Sequence, residues 1–115
     1  MAFVIEDAAK NAMLQGLASR LNIGTNSLLS VYVGATLAVE IALTNPIELS
    51  ITGGVLTFKV PPQALAIASG IPTEARISDA SGVLMVTLPA ALITLDKDKI
   101  YQGGYVGVQS IKFTI

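Results

Sequence analysis

From Leu29 onward, apolar and polar residues alternate in short runs. Leu29, Val31 and Val33 alternate with Ser30 and Tyr32, and Leu37, Val39, Ile41 and Leu43 with Thr36, Ala38, Glu40 and Ala42. Ile47, Leu49 and Ile51 are followed in the same rhythm by Leu56, Phe58 and Val60, then Ala75 and Ile77, then Leu84, Val86 and Leu88. The last run sets Gln109, Ile111, Phe113 and Ile115 against Ser110, Lys112 and Thr114. A side-chain period of two belongs to a strand with one face on a core. Turn chemistry separates the runs at Thr44-Asn45-Pro46, Thr52-Gly53-Gly54 and Gln102-Gly103-Gly104. Asp79-Ala80-Ser81-Gly82 predicts a type I turn with Gly82 left-handed, closing a hairpin. Pro61-Pro62 ends its strand because neither residue can donate to a ladder. Short strands with turns between them predict an antiparallel sandwich or barrel.

The first quarter of the chain has a different period. Leu14, Leu17, Ala18 and Leu21 fall at i, i+3, i+4 and i+7, and Ala9, Met13 and Leu17 add an i, i+4, i+8 row. The spacing predicts one helix over residues 7–21, with Asp7 as its N-cap, Arg20 in its last turn and Gly24 just beyond. Residues 1–6 read as an arm or as an edge strand of the same domain, and 28–115 as the β-rich body. At 115 residues the chain is expected to be a single domain.

Composition sharpens this picture. The chain is 52% hydrophobic and only 13% charged, about half the usual charged share. Among its charge-free windows, Leu21 to Val39 carries Asn22, Gly24, Asn26 and Gly34, and Val60 to Thr73 carries Pro61, Pro62 and Pro72. Those breakers argue against a membrane span, and Glu6-Asp7 stands where a signal peptide would need positive charge. A domain of this size buries only about two-thirds of its unfolded surface, so some apolar area is expected on the outside. Several strands are apolar on both faces, as at Ile41-Ala42-Leu43 and Val83-Leu84-Met85-Val86. One short helix cannot cover two sheets, so a subunit contact is expected as well.

Reactive chemistry is thin. The absence of Cys, His and Trp removes disulfides, Cys/His zinc sites, Cys nucleophiles and any His-based triad. Seven basic against eight acidic residues offer no field for nucleic acid. Asp96-Lys97-Asp98-Lys99 has two carboxylates two residues apart, too few oxygens for a Ca²⁺ site, and reads as a solvated loop. Glu74 and Arg76 share a strand face and are expected to pair. Tyr32, Tyr101 and Tyr105 read as core or interface rings. No cofactor and no metal is expected, and the reading is of a protein that is not an enzyme.

One arrangement is familiar. Ala8 to Leu17 (AAKNAMLQGL), Leu29 to Gly34 (LSVYVG), Leu43 to Pro46 (LTNP), Gly53 to Phe58 (GGVLTF), Ala75 to Gly82 (ARISDASG) and the closing Gly104…Ile111 to Ile115 follow one another at turn spacings that resemble small virion proteins of tailed bacteriophages. The resemblance covers nearly the whole chain. It departs from the group in lacking an Ala/Asp-rich insertion near residues 34–37 and a Trp before Arg76. It implies a mainly β, jelly-roll-like antiparallel β-sandwich with one short N-terminal α-helix, displayed in many copies on a virion. The function implied is capsid decoration, or cement, on the outer surface of the capsid. Such a protein binds the major capsid protein as a homo-oligomer, dimer or trimer, and bridges capsomers through contacts of roughly 800 Å² per partner. No nucleic acid and no membrane partner is implied. A tail or head-fibre component and a small carbohydrate-binding module are the alternatives. The termini are the expected contact elements: Phe3, Val4 and Ile5 at one end and Ile111, Phe113 and Ile115 at the other, since free apolar termini can add to a neighbour's sheet.

Overall fold

The computed structural model describes residues 5–24, 26–44, 46–96 and 99–114. It is mainly β, with one helix, α1 (Asp7–Leu21), and strands β1 (Leu28–Val33), β2 (Thr36–Ala42), β3 (Glu48–Thr52), β4 (Val55–Phe58), β5 (Ala64–Leu65), β6 (Glu74–Ser78), β7 (Leu84–Pro89), β8 (Ile93–Leu95), β9 (Tyr105–Val106) and β10 (Val108–Thr114). A short 3₁₀ turn, Ala90–Leu92, joins β7 to β8. Two four-stranded sheets run in the orders β2-β1-β6-β7 and β3-β4-β10-β8, and β5 pairs with β9 as a separate ribbon. Every pairing among them is antiparallel.

The helix occupies the expected span, but its cap differs. Glu6 is the extended N-cap residue, its carbonyl accepting from the Ala9 and Lys10 N–H groups, and Asp7 lies inside the first turn. Leu14, Ala18 and Leu21 are buried and Leu17 packs against them, whereas Ala9 and Met13 are exposed. The buried stripe is therefore narrower than the periodicity suggested. α1 lies against β3 and β4. Three polar contacts fix it there. The Gly54 N–H donates to Asn11 Oδ1 at 2.9 Å, the Ile47 N–H donates to Asn22 Oδ1 at 2.7 Å, and Asn22 Nδ2 donates to Glu48 Oε2 at 2.8 Å.

The β6–β7 hairpin closes as expected. The Gly82 N–H donates to the Asp79 carbonyl at 3.0 Å, with Gly82 at φ +86. Asp79 Oδ1 accepts from the Ser81 and Val83 N–H groups, both at 2.9 Å. Gly24, beyond the helix, lets this turn approach: a Cβ there would stand 2.9 Å from the Ala80 Cβ.

The two sheets and the helix bury one apolar cluster. Leu29, Val31, Val39, Ile41, Ala75 and Ile77 enter from the first sheet, and Leu56, Phe58, Ile93, Val108 and Ile111 from the second. Each such Leu, Ile or Phe contributes about 1.5–3 kcal/mol when fully buried. Strict alternation fails where the ladders slip. A β-bulge between Glu48 and Ser50 takes Leu49 out of the inward row, and it is 66% exposed. The register shift opposite Ile77 and Ser78 does the same to Leu84, which is 52% exposed. Another, between Val31 and Tyr32, is accompanied by burial of the adjacent residues Ala38 and Val39. Val60, expected inside, lies beyond the end of β4 and is exposed. No helix among the described residues is long and apolar enough to cross a membrane.

Candidate functional site

The terminal contact residues fall into three groups. Ile5 is 44% exposed and precedes α1. Ile111 is 2% exposed and belongs to the core, and Phe113 is half-buried against it. Phe3, Val4 and Ile115 lie outside the described residues. The expectation of a free C-terminal strand is corrected by the sheet order. β10 is an interior strand, bonded to β8 through Val108 to Ile111 and to β4 through Lys112 to Thr114. A bulge between Val108 and Ser110 turns both Val108 and Ile111 inward, so their side chains are not available to a partner.

Exposed apolar surface lies elsewhere. Twelve large side chains, tyrosines included, are exposed among the described residues. On the β5–β9 ribbon, Leu65 and Tyr105 are directly opposed, and both are exposed. The ribbon continues as a ladder through Ala66 and Gly104 to the Gly70–Ile100 bridge, and the Ile67 N–H donates to the Ala38 carbonyl of β2 at 2.7 Å. Tyr101 is exposed next to the bridge, with the Lys99 ammonium 5.4 Å from its ring centroid. Beside the end of β7, Ile71, Pro72, Ala90, Ala91 and Leu95 line an open, shallow depression of about 330 Å³ with no charged side chain in its walls. Sequence periodicity could not find the ribbon, because a two-residue strand holds no period. The one signal was Gly103-Gly104 just before Tyr105.

Polar groups form smaller sets. A recess between Asp96, Lys99, Tyr101 and Tyr105 holds about 20 Å³, room for one water. Among the described residues no three acidic, His or Cys side chains converge as metal ligands, and Asp98 lies outside them. Arg76 Nε donates to Glu74 Oε2 at 2.7 Å, the pairing expected from the strand face. The Arg76 guanidinium also lies 4.3 Å from the Tyr32 ring centroid, a contact that becomes visible only when β1 is seen to pair with β6. The hydrogen bond that Arg76 donates to Glu74 chiefly, then the Glu74 charge and the Tyr32 contact, raise the Arg76 pKa against desolvation. Asp79 is held below the ordinary carboxylate value. The Val83 N–H is the largest cause, with the Ser81 N–H and Arg20 adding to it and desolvation opposing. Arg20 reaches Asp79 Oδ2 at 3.1 Å and so ties the end of α1 to the β6–β7 turn.

No family model, curated protein or solved structure matches the chain. The surface offers apolar contact area on short, well-bonded strands, and two of its ion pairs, Arg76 with Glu74 and Arg20 with Asp79, are internal to the chain.

Proposed function

We propose that this is a non-enzymatic virion structural protein that decorates the outer surface of a capsid, binds the major capsid protein and stabilises the shell by bridging capsomers. The observation that carries the reading is the exposed apolar surface of the β5–β9 ribbon and the neighbouring depression. Water-exposed apolar area of this kind favours a protein partner. The resemblance to phage virion proteins supplies the kind of partner. The two four-stranded sheets, sharing one core, are read as the layers of a sandwich. Its jelly-roll character rests on the resemblance: the hairpins β1–β2, β3–β4 and β6–β7 each stay within one sheet, a simpler connectivity than two interlocked Greek keys.

Exposed Tyr101 and Tyr105 favour a second reading, surface stacking on a carbohydrate. The recess beside them is too small to take in a sugar ring.

Purified virions test the first reading. This chain should copurify with DNA-filled heads at a fixed ratio to the major capsid protein, and heads lacking it should release DNA at lower temperature. Recovery in tails alone, or unchanged DNA release, would overturn it. Binding to immobilised glycans, lost in Tyr105→Ala, would favour the second.

A further inference from the structure

Four strands form the outer edges of the two large sheets: β2, β7, β3 and β8. β2 is engaged by the Ile67 N–H on the Ala38 carbonyl. β3 carries Glu48 and lies beneath α1. β8 is three residues long and follows directly on the 3₁₀ turn. β7 differs from all three. Its six residues, Leu-Met-Val-Thr-Leu-Pro, include no charge, and no described strand pairs with its outer side. Natural edges are guarded by charge, by proline or by bulges, and this one has a bulge at Met85 and a proline at its end but no charge between them.

The ladder shows which backbone groups are free. The Ala90 N–H donates to the Thr73 carbonyl, so in the β6–β7 register the mutually bonded pairs are Ala75/Leu88 and Ile77/Val86. Thr87, between them, turns its N–H and C=O to the open edge. Pro89 also faces outward, the position where a proline costs the existing sheet nothing. Val86 is only half-buried on the core side, and Thr87 is exposed on the other.

We propose that two copies of this chain pair through β7, antiparallel about a two-fold axis at Thr87, joining two four-stranded sheets into one of eight. In this register each Thr87 N–H donates to the Thr87 carbonyl of the second copy. Val86 faces Leu88 of the second copy, extending the apolar layer across the axis, and the two Thr87 side chains oppose each other, a favourable cross-strand pair. A self-pairing interface meets its own charges, so a neutral strand is the one suited to a second copy. The nearest charges, Glu74 and Arg76, already pair with each other. The inference stands on sheet geometry and not on the virion reading, and its test uses no virions. Dimers that ignore capsids would sink that reading and leave this one intact.

Sedimentation velocity of the full-length chain over a dilution series provides the test. The wild type is expected to be a dimer. Thr87→Lys and Thr87→Glu each place like charges face to face and should weaken self-association by about tenfold or more, while an equimolar mixture of the two recovers dimers. Since the chain contains no cysteine, Thr87→Cys should cross-link only between copies under mild oxidation, and Ser50→Cys on β3 should not. The cross-link decides the matter should a charged variant not fold. A monomeric wild type, undiminished dimers of Thr87→Lys, or absence of the Thr87→Cys cross-link would each overturn the proposal.

Discussion

The two sides of this molecule solve opposite problems. At one end α1 is tied down by polar reach: Asn11 to Gly54, Asn22 to Ile47 and Glu48, Arg20 to Asp79. Its buried stripe is thin, so side-chain to backbone hydrogen bonds across 25 and 43 residues of sequence complete what apolar contact leaves undone. Elsewhere, the β7 edge and the β5–β9 ribbon carry exposed Leu84, Leu65 and Tyr105. The first region holds the chain together. The second has area to give to something else. Greasiness alone therefore does not say where a protein will stick. The places to look are those where apolar residues are not already covered by their own chain.

Variants should divide along this line. The largest loss is expected on the clasped side. Leu21→Ala, at a fully buried position, should cost about 2–5 kcal/mol in urea unfolding. Asn22→Ala leaves the Ile47 N–H without its acceptor and should cost about 1–3 kcal/mol in the same assay. Ser27 has a buried hydroxyl with no partner among the described residues, so Ser27→Ala should stabilise by up to about 1 kcal/mol. Asp79→Asn isolates charge. Because the folded-state pKa is depressed, the carboxylate's contribution is complete above the ordinary carboxylate pKa of about 3.9 and is lost as pH falls through the folded value. The variant should melt below the wild type at pH 7, and the gap should close as the pH is lowered through that window. On the open side the effect on stability should be smallest. Leu65→Ser with Tyr105→Ser should stay within about 0.5 kcal/mol of wild type while reducing the capsid binding proposed above. A large loss of stability there would erase the distinction between the two sides.

Much of the fold was legible in the residues, and the reasons for the misses are specific. The helix span followed from i, i+3, i+4 spacing. The β6–β7 turn followed from Asp79 and Gly82, because the left-handed position and the Asx-type hydrogen bonds leave a chemical trace. Period two placed the longer strands but could not register bulges. An inserted residue breaks the alternation at one point, which is why Leu49 and Leu84 lie outside while Ile51, Val86 and Leu88 keep to the inward row. Sheet order is equally silent in a single chain. Nothing local in Ile111 to Ile115 says that β10 is interior, so the expectation that it would dock on a neighbour was a statement about composition where topology decides. The ribbon was missed because its strands are too short to carry a pattern.

The hydrogen bond from Ile67 to Ala38 has one more consequence. If β7 is the sticky edge of its sheet, β2 is the far edge of that same sheet, and a second open edge there would allow copy after copy to join into an endless ribbon. With β2 occupied at that point, growth through this sheet is finite. A protein of this hydrophobicity can then keep one edge open without becoming a fibre.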